Sequence, residues 1–265
     1  MQLFLTIGFL SLFITSAQAN TWQCSHPQAC NLVHDYIKST NSPLPSFEKA
    51  IKIVKDPHHI EPNAKEIKAM YKAQVFITAP MPLNPWAKSV LKMRREQNAK
   101  VIELMSPITK DKEALAHFWL YPEIACQLWT QVHEQLKLQE NEPACPYNFD
   151  FKQTGKTEFP IIISHDAVVP MLKSLGYDIH AIKGSGHHEE PKPQQVKAIA
   201  DTVNKYKKVV WIEENNIHFP HSIEKMQRSN DTVLEIDTNG DYPGELLAPL
   251  KNLLRQLEEH SNAKR

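Results

Sequence analysis

Short apolar runs rich in Val and Ile alternate along the chain with longer stretches of helical period. The runs at 50–54, 74–78, 100–104, 160–164, 178–182, 208–212 and 232–236 predict strands. The stretches at 64–72, 85–97, 122–138, 167–175, 193–206, 220–228 and 245–260 predict helices. Strands that are apolar throughout and alternate with helices imply parallel sheets covered on both faces. The pattern fails once in the middle. Residues 139–158, QENEPACPYNFDFKQTGKTE, are polar, hold two prolines and a glycine, and keep no period. They predict the connection between two α/β halves, 20–138 and 159–265. The fold class expected is therefore α/β, two lobes, each a parallel sheet flanked by helices.

The opening residues 1–19, MQLFLTIGFLSLFITSAQA, carry no charged side chain and end in a small-x-small signal at Ala17-Gln18-Ala19. They predict a cleavable secretory signal peptide, and hence export to the periplasm. The rest changes the picture only a little. Thirty basic residues balance thirty acidic ones, so no net field favours nucleic acid or an anionic membrane. Thirteen histidines is a high count for 265 residues. In an oxidising compartment the four cysteines predict two disulfides. The local pairing, Cys24–Cys30 with Cys126–Cys145, closes the shortest of the three possible sets of loops. Thiolate metal ligands are the alternative, but no CxxC spacing supports them.

In open α/β sheets, ligands bind beyond the carboxyl ends of the strands. That rule selects His58 after the first run, His165 after FPIIIS, Glu213 after KKVVWI and Asp237 after TVLEI. Taken singly, each has an ordinary explanation. His58 and His59 sit in an Asp-Pro turn, His165 could cap a helix or act as a base, and His117 lies beside an aromatic pair in AHFWLYPEIA. Three imidazoles and one carboxylate, however, make a four-coordinate set suited to Zn²⁺. The chain has no HExxH, no GxSxG and no Walker or dinucleotide glycine pattern.

The segments DPHHIEP, HFWLYPEIA, SHDA, EPKPQQVKAIADTVNKYKKVVWIEE and LEIDTNG follow one another in strand-to-helix settings. In order and context the chain resembles the metal-binding solute-binding proteins of bacterial zinc and manganese ABC importers, from about residue 50 onward. The resemblance implies a metal clamped between two lobes. It maps the ligands onto His58, His117, His165 and Asp237, and makes Glu213 a partner that orients an imidazole. It implies a monomer that hands its ion to a membrane permease, and no enzyme activity. Zinc is favoured over Mn²⁺, because His165 stands where manganese members commonly place a carboxylate.

The chain departs from the family in three places, one of them its N-terminal segment TWQCSHPQACNLVHDYI, which is unlike the family's usual first strand. The span from His117 to His165 is short for the family's long linking helix. The stretch before His117 also lacks the family's His-rich loop. The nearest substitute is His187, His188, Glu189 and Glu190 in GSGHHEEP, either an accessory metal-gathering loop or a solvated one. Two other functions compete with import: a periplasmic zinc buffer or metallochaperone using the same ligands, and a zinc hydrolase, which would need an open coordination position.

Overall fold

The computed structural model describes residues 21–47, 61–80, 83–105, 115, 117–148, 159–182, 191–215, 217–238 and 245–262. The first unit runs β1 (Thr21–Cys24), α1 (Pro27–Ser39), β2 (Ser46–Phe47), α2 (Ala64–Lys72), β3 (Val75–Thr78), α3 (Ala87–Glu96) and β4 (Lys100–Glu103). A 3-10 turn at Phe118–Leu120 leads into α4 (Pro122–Leu136). The second unit runs β5 (Ile161–Ile163), α5 (Val169–Ser174), β6 (Ile179–Ala181), α6 (Pro193–Lys205), β7 (Val210–Glu214), α7 (His221–Glu224), β8 (Thr232–Ile236) and α8 (Ala248–Asn262).

Local chemistry explains where these elements start and stop. Asn63 accepts the N–H groups of Lys65 and Glu66, and Glu66 accepts the Asn63 N–H, so α2 opens on a reciprocal capping box. α4 and α6 each place proline in the first turn, where its missing N–H costs nothing. α4 ends on Lys137 in the left-handed region. After α5, Gly176 at φ +88° lets the chain turn sharply into β6. Strands β3 and β5 are buried at every residue, as their unbroken apolar runs require.

All eight strands lie in two parallel four-stranded sheets, ordered β2-β1-β3-β4 and β6-β5-β7-β8. The two orders are the same: second, first, third, fourth. In each sheet the strand order reverses between the first and third strands, which is where such sheets place ligands. One large apolar cluster runs through both units, from Trp22, Trp119 and Trp129 to Ile161, Ile212 and Leu250.

The expected α/β class with two parallel sheets is what the structure shows. Among the runs that lie in described residues, β8 and α2 match their expected bounds, and most others are shorter by one to three residues at an end. Two departures carry consequences. β1, α1 and β2 arise where no element was expected, so the first sheet begins at Thr21. β7 extends two residues beyond the expected end at Ile212 and takes in Glu213 and Glu214. The strand expected at 50–54 lies outside the described residues, as do the signal peptide and the second half of the expected connection, 149–158.

Both expected disulfides form. Cys24–Cys30 ties the end of β1 to the first turn of α1, with Cα atoms 5.7 Å apart. Cys126–Cys145 ties α4 to the loop behind it, at 5.6 Å. That loop is fastened again by the Trp129 indole N–H donating to the Pro143 carbonyl at 2.9 Å. α4 packs on α1 and β4, within the first unit. The longest helices among the described residues have 15 residues. None is long and apolar enough to cross a membrane.

Candidate metal centre

The residues at the two order reversals are related in detail. In the first sheet the chain leaves β1 as Ser25-His26; in the second it leaves β5 as Ser164-His165. Ser25 N–H donates to the Ile77 carbonyl at 2.8 Å, and Ser164 N–H to the Ile212 carbonyl at 3.0 Å. The Ser25 hydroxyl accepts the Ala79 N–H at 2.8 Å, and the Ser164 hydroxyl accepts the Glu214 N–H at 3.2 Å. His26 therefore stands in the first unit where His165 stands in the second, and Ala79 stands where Glu214 does.

That last difference decides the chemistry of the two rings. Glu214 is buried, and its Oε1 lies 2.9 Å from His165 Nδ1. An ionised carboxylate only accepts, so Nδ1 carries the proton and Nε2 presents its lone pair, the arrangement of a carboxylate-oriented metal ligand. At His26 the neighbour is a donor instead. Nδ1 accepts the Gln28 N–H at 3.2 Å and caps α1, so in the neutral ring the proton sits on Nε2. The same backbone position thus holds one imidazole shaped to ligate and one shaped to cap.

His117 comes from the other side, just ahead of the 3-10 turn, and is fully buried. Its ring meets His165 edge to face, with centroids 5.5 Å apart. It also meets Trp119 at 5.5 Å, and the opposite face of the assembly stacks Trp119 on His26 at 4.9 Å. Trp119 Nε1 donates to the Thr238 carbonyl at 2.7 Å, and the Thr238 hydroxyl donates to Glu214 Oε2 at 2.9 Å. Asp166 Oδ1 lies 3.7 Å from His165 Nε2.

The structure brings together two of the four ligands named from the sequence, His117 and His165, one from each unit. Asp237 is exposed, one residue past the end of β8. His58 lies outside the described residues, as do His187, His188, Glu189 and Glu190. Among the described residues no third His, Cys, Asp or Glu joins the pair in a metal-ready cluster. The carboxylate beside His165 is Glu214, where Glu213 was expected. Glu213 points to the other face of β7 and meets His218 Nδ1 at 3.3 Å. Strand parity explains the swap, since Glu214 shares its face with Val210 and Ile212. Trp119, Thr238 and His26 were also missed. The sequence held one signal for His26, the dipeptide Ser-His repeated at 25–26 and 164–165.

Two parallel α/β units thus bring one imidazole each to a common point, with a buried carboxylate behind one of them. The family model for the zinc-uptake complex component A, periplasmic, matches residues 48–148. No curated relative matches the chain's sequence. Solved structures share its fold over nearly the whole length. AdcAII of Streptococcus pneumoniae is 22% identical, covers 91% of this chain and 98% of its own, and superposes with a TM-score of 0.68. The laminin-binding protein Lmb of Streptococcus agalactiae, described as an adhesin with metal-transporting activity, is 21% identical over 89% and 99%, at 0.65. The Zn(II)-bound ZnuA-like domain of Streptococcus pneumoniae AdcA is 17% identical over 91% and 99%, at 0.60. The resemblance drawn from the motifs is thus met by a family model over much of the first lobe and by a shared fold beyond it.

Proposed function

We propose that the protein is a periplasmic solute-binding protein that captures Zn²⁺ between its lobes and delivers it to the permease of an ABC importer. The observation that carries this is the meeting of His117 and His165 across the two units. Two imidazoles bound to one tetrahedral ion through bonds of 2.0–2.1 Å have ring centres roughly 5.2 Å apart. The observed spacing is 5.5 Å, with the rings inclined at 64°. His58 and Asp237 complete the proposed set. Glu214 takes the orienting role on His165. The ion is cargo, so the protein needs no open coordination position and no catalytic base.

Export by a signal peptide and a monomeric state follow the same reading. The comparisons support it through the family model's description and the Zn(II)-bound state of a protein with this fold. The test is metal content per chain in protein purified without chelator, followed by competition with a zinc chelator. One tightly held zinc is expected, and His117→Ala is expected to weaken it by orders of magnitude while the fold persists. Wild-type affinity in that variant rules out the assignment. Delivery is tested by growth of a deletion strain under zinc limitation, which the intact gene and not the His117→Ala form should restore.

A further inference from the structure

We infer that Thr238, with Trp119 and Tyr121, forms a latch that fixes the lobes to each other and His165 to its ligating orientation in one connected unit. The latch deepens the proposed zinc site and rests on that reading. Three residues of one short segment, His117, Trp119 and Tyr121, alternate toward the second unit. His117 brings its ring to His165. Trp119 donates to the carbonyl of Thr238, the residue after Asp237. Tyr121 donates through its hydroxyl to the carbonyl of Ala167, two residues after His165, at 2.8 Å. Both straps therefore end on main-chain carbonyls within two residues of a proposed ligand. Any sliding of one lobe on the other must move the ligand loops with it.

Thr238 closes the circuit. Its carbonyl holds the first lobe, while its hydroxyl holds Glu214 Oε2. The other oxygen of that carboxylate holds His165 Nδ1. His165 meets His117, and His117 meets Trp119, which returns to Thr238. Trp119, Thr238 and Glu214 are all buried, so the two bonds through Thr238 are shielded from water. A carboxylate with one oxygen on a hydroxyl and the other on an imidazole has one orientation left. Thr238 is thus a positioning residue: it touches no ion, and it acts through Glu214. The lobes are strapped in register through side chains of residues 117–121, by contacts in which no ion takes part.

Thr238→Val keeps the carbonyl and the shape but deletes the hydroxyl; Thr238→Ser restores a hydroxyl. Zn²⁺ affinity by chelator competition should fall tenfold or more in the valine variant and return toward wild type in the serine variant. The visible absorption of bound Co²⁺, which reports ligand geometry, should change in the valine variant and recover with serine. A merely structural threonine would lower the melting temperature and leave the cobalt spectrum alone.

Spin labels on Lys65→Cys and Lys197→Cys, both exposed and one on each unit, read the strap in metal-free protein. The interlobe distance distribution should be narrow and should broaden in Tyr121→Phe. An unchanged spectrum and affinity in Thr238→Val, or an unchanged distribution in Tyr121→Phe, overturns the latch. A wild-type chain that binds neither Zn²⁺ nor Co²⁺ overturns the proposed function instead, and the metal-free distances still decide the latch.

Discussion

Both Nη groups of Arg94 donate to main-chain carbonyls. Nη1 donates to Met70, Tyr71 and Ala73 at 2.9–3.1 Å, and Nη2 to Gln74 and Lys100 at 3.3 and 2.7 Å. These carbonyls close the end of α2, the link into β3 and the start of β4. The side chain has no exposed surface, and burial lowers its pKa from the usual arginine range. Arg94→Ala leaves several buried carbonyls without donors and a cavity besides, so it should cost about 2–4 kcal/mol in chemical denaturation. Arg95→Ala is the control, because the Arg95 side chain is exposed and pairs with half-buried Glu103 at the surface, so its loss should change stability by less than about 1 kcal/mol. Equal effects at the two positions would show that the carbonyl cluster does not depend on the guanidinium. In sequence, KMRREQ shows two adjacent charges on a polar helix. Nothing in that spacing separates the solvated arginine from the buried one, because the carbonyls it serves belong to other elements. The meeting of His117 and His165 was legible for the opposite reason: strand ends and motif positions place polar side chains together whatever the tertiary detail.

β7 illustrates the same limit for elements. Its apolar centre announced it, but its ends are set by partners that are remote in sequence. β7 continues through two glutamates because Glu214 finds Thr238 and His165, and those contacts outweigh the low strand propensity of Glu. α1 went unread because its buried face holds Gln28 and Asn31, where the Asn31 side-chain amide donates to the Gln28 side-chain oxygen at 3.0 Å inside the core. At the other end of β7, Asp231 fastens β8 to it. It accepts Val209 N–H, Trp211 Nε1, Arg228 N–H and the Arg228 guanidinium. Burial pushes its pKa up, but the bonds from Arg228 and Trp211 and the two backbone N–H groups pull it below the usual carboxylate value. A depressed folded pKa stabilises the fold above the unfolded value of about 3.9 and loses that contribution as pH falls through the folded one. Asp231→Asn should therefore cost about 1–3 kcal/mol at neutral pH. The gap from wild type should narrow as the pH falls below about 4. Melting curves of both proteins across that range are the check, and a gap that stays constant with pH would show that the carboxylate's charge contributes nothing.

The whole molecule repeats itself in topology without repeating in sequence. Two sheets of the same strand order each end their first strand in Ser-His, and each serine makes the same two backbone bonds. Only one half carries a carboxylate on its histidine, the one proposed as a ligand. The centre is therefore asymmetric. The second unit supplies a presented lone pair at His165, and the first supplies His117 from its exit segment, with His26 behind it holding Trp119. If the proposed site takes its ion through these two imidazoles, one held by Glu214, it should discriminate among ions by ligand type. For a given site Mn²⁺ is the weakest binder of the first-row divalent series, and it suits carboxylate and water ligands, whereas Zn²⁺ suits imidazole in four-coordinate sites. Apo-protein exposed to equimolar Zn²⁺ and Mn²⁺ at neutral pH should bind zinc almost exclusively. Replacing the locked imidazole by a carboxylate, His165→Glu, should narrow that preference. It also sets a second carboxylate against buried Glu214, so absolute affinity for both ions should drop. The measurement is metal content after equilibrium dialysis against the mixture, for both proteins. Manganese as the main ion in the wild-type chain would show that ligand type at His165 does not set the choice, and would move the selectivity to His58, Asp237 or the geometry of the cleft.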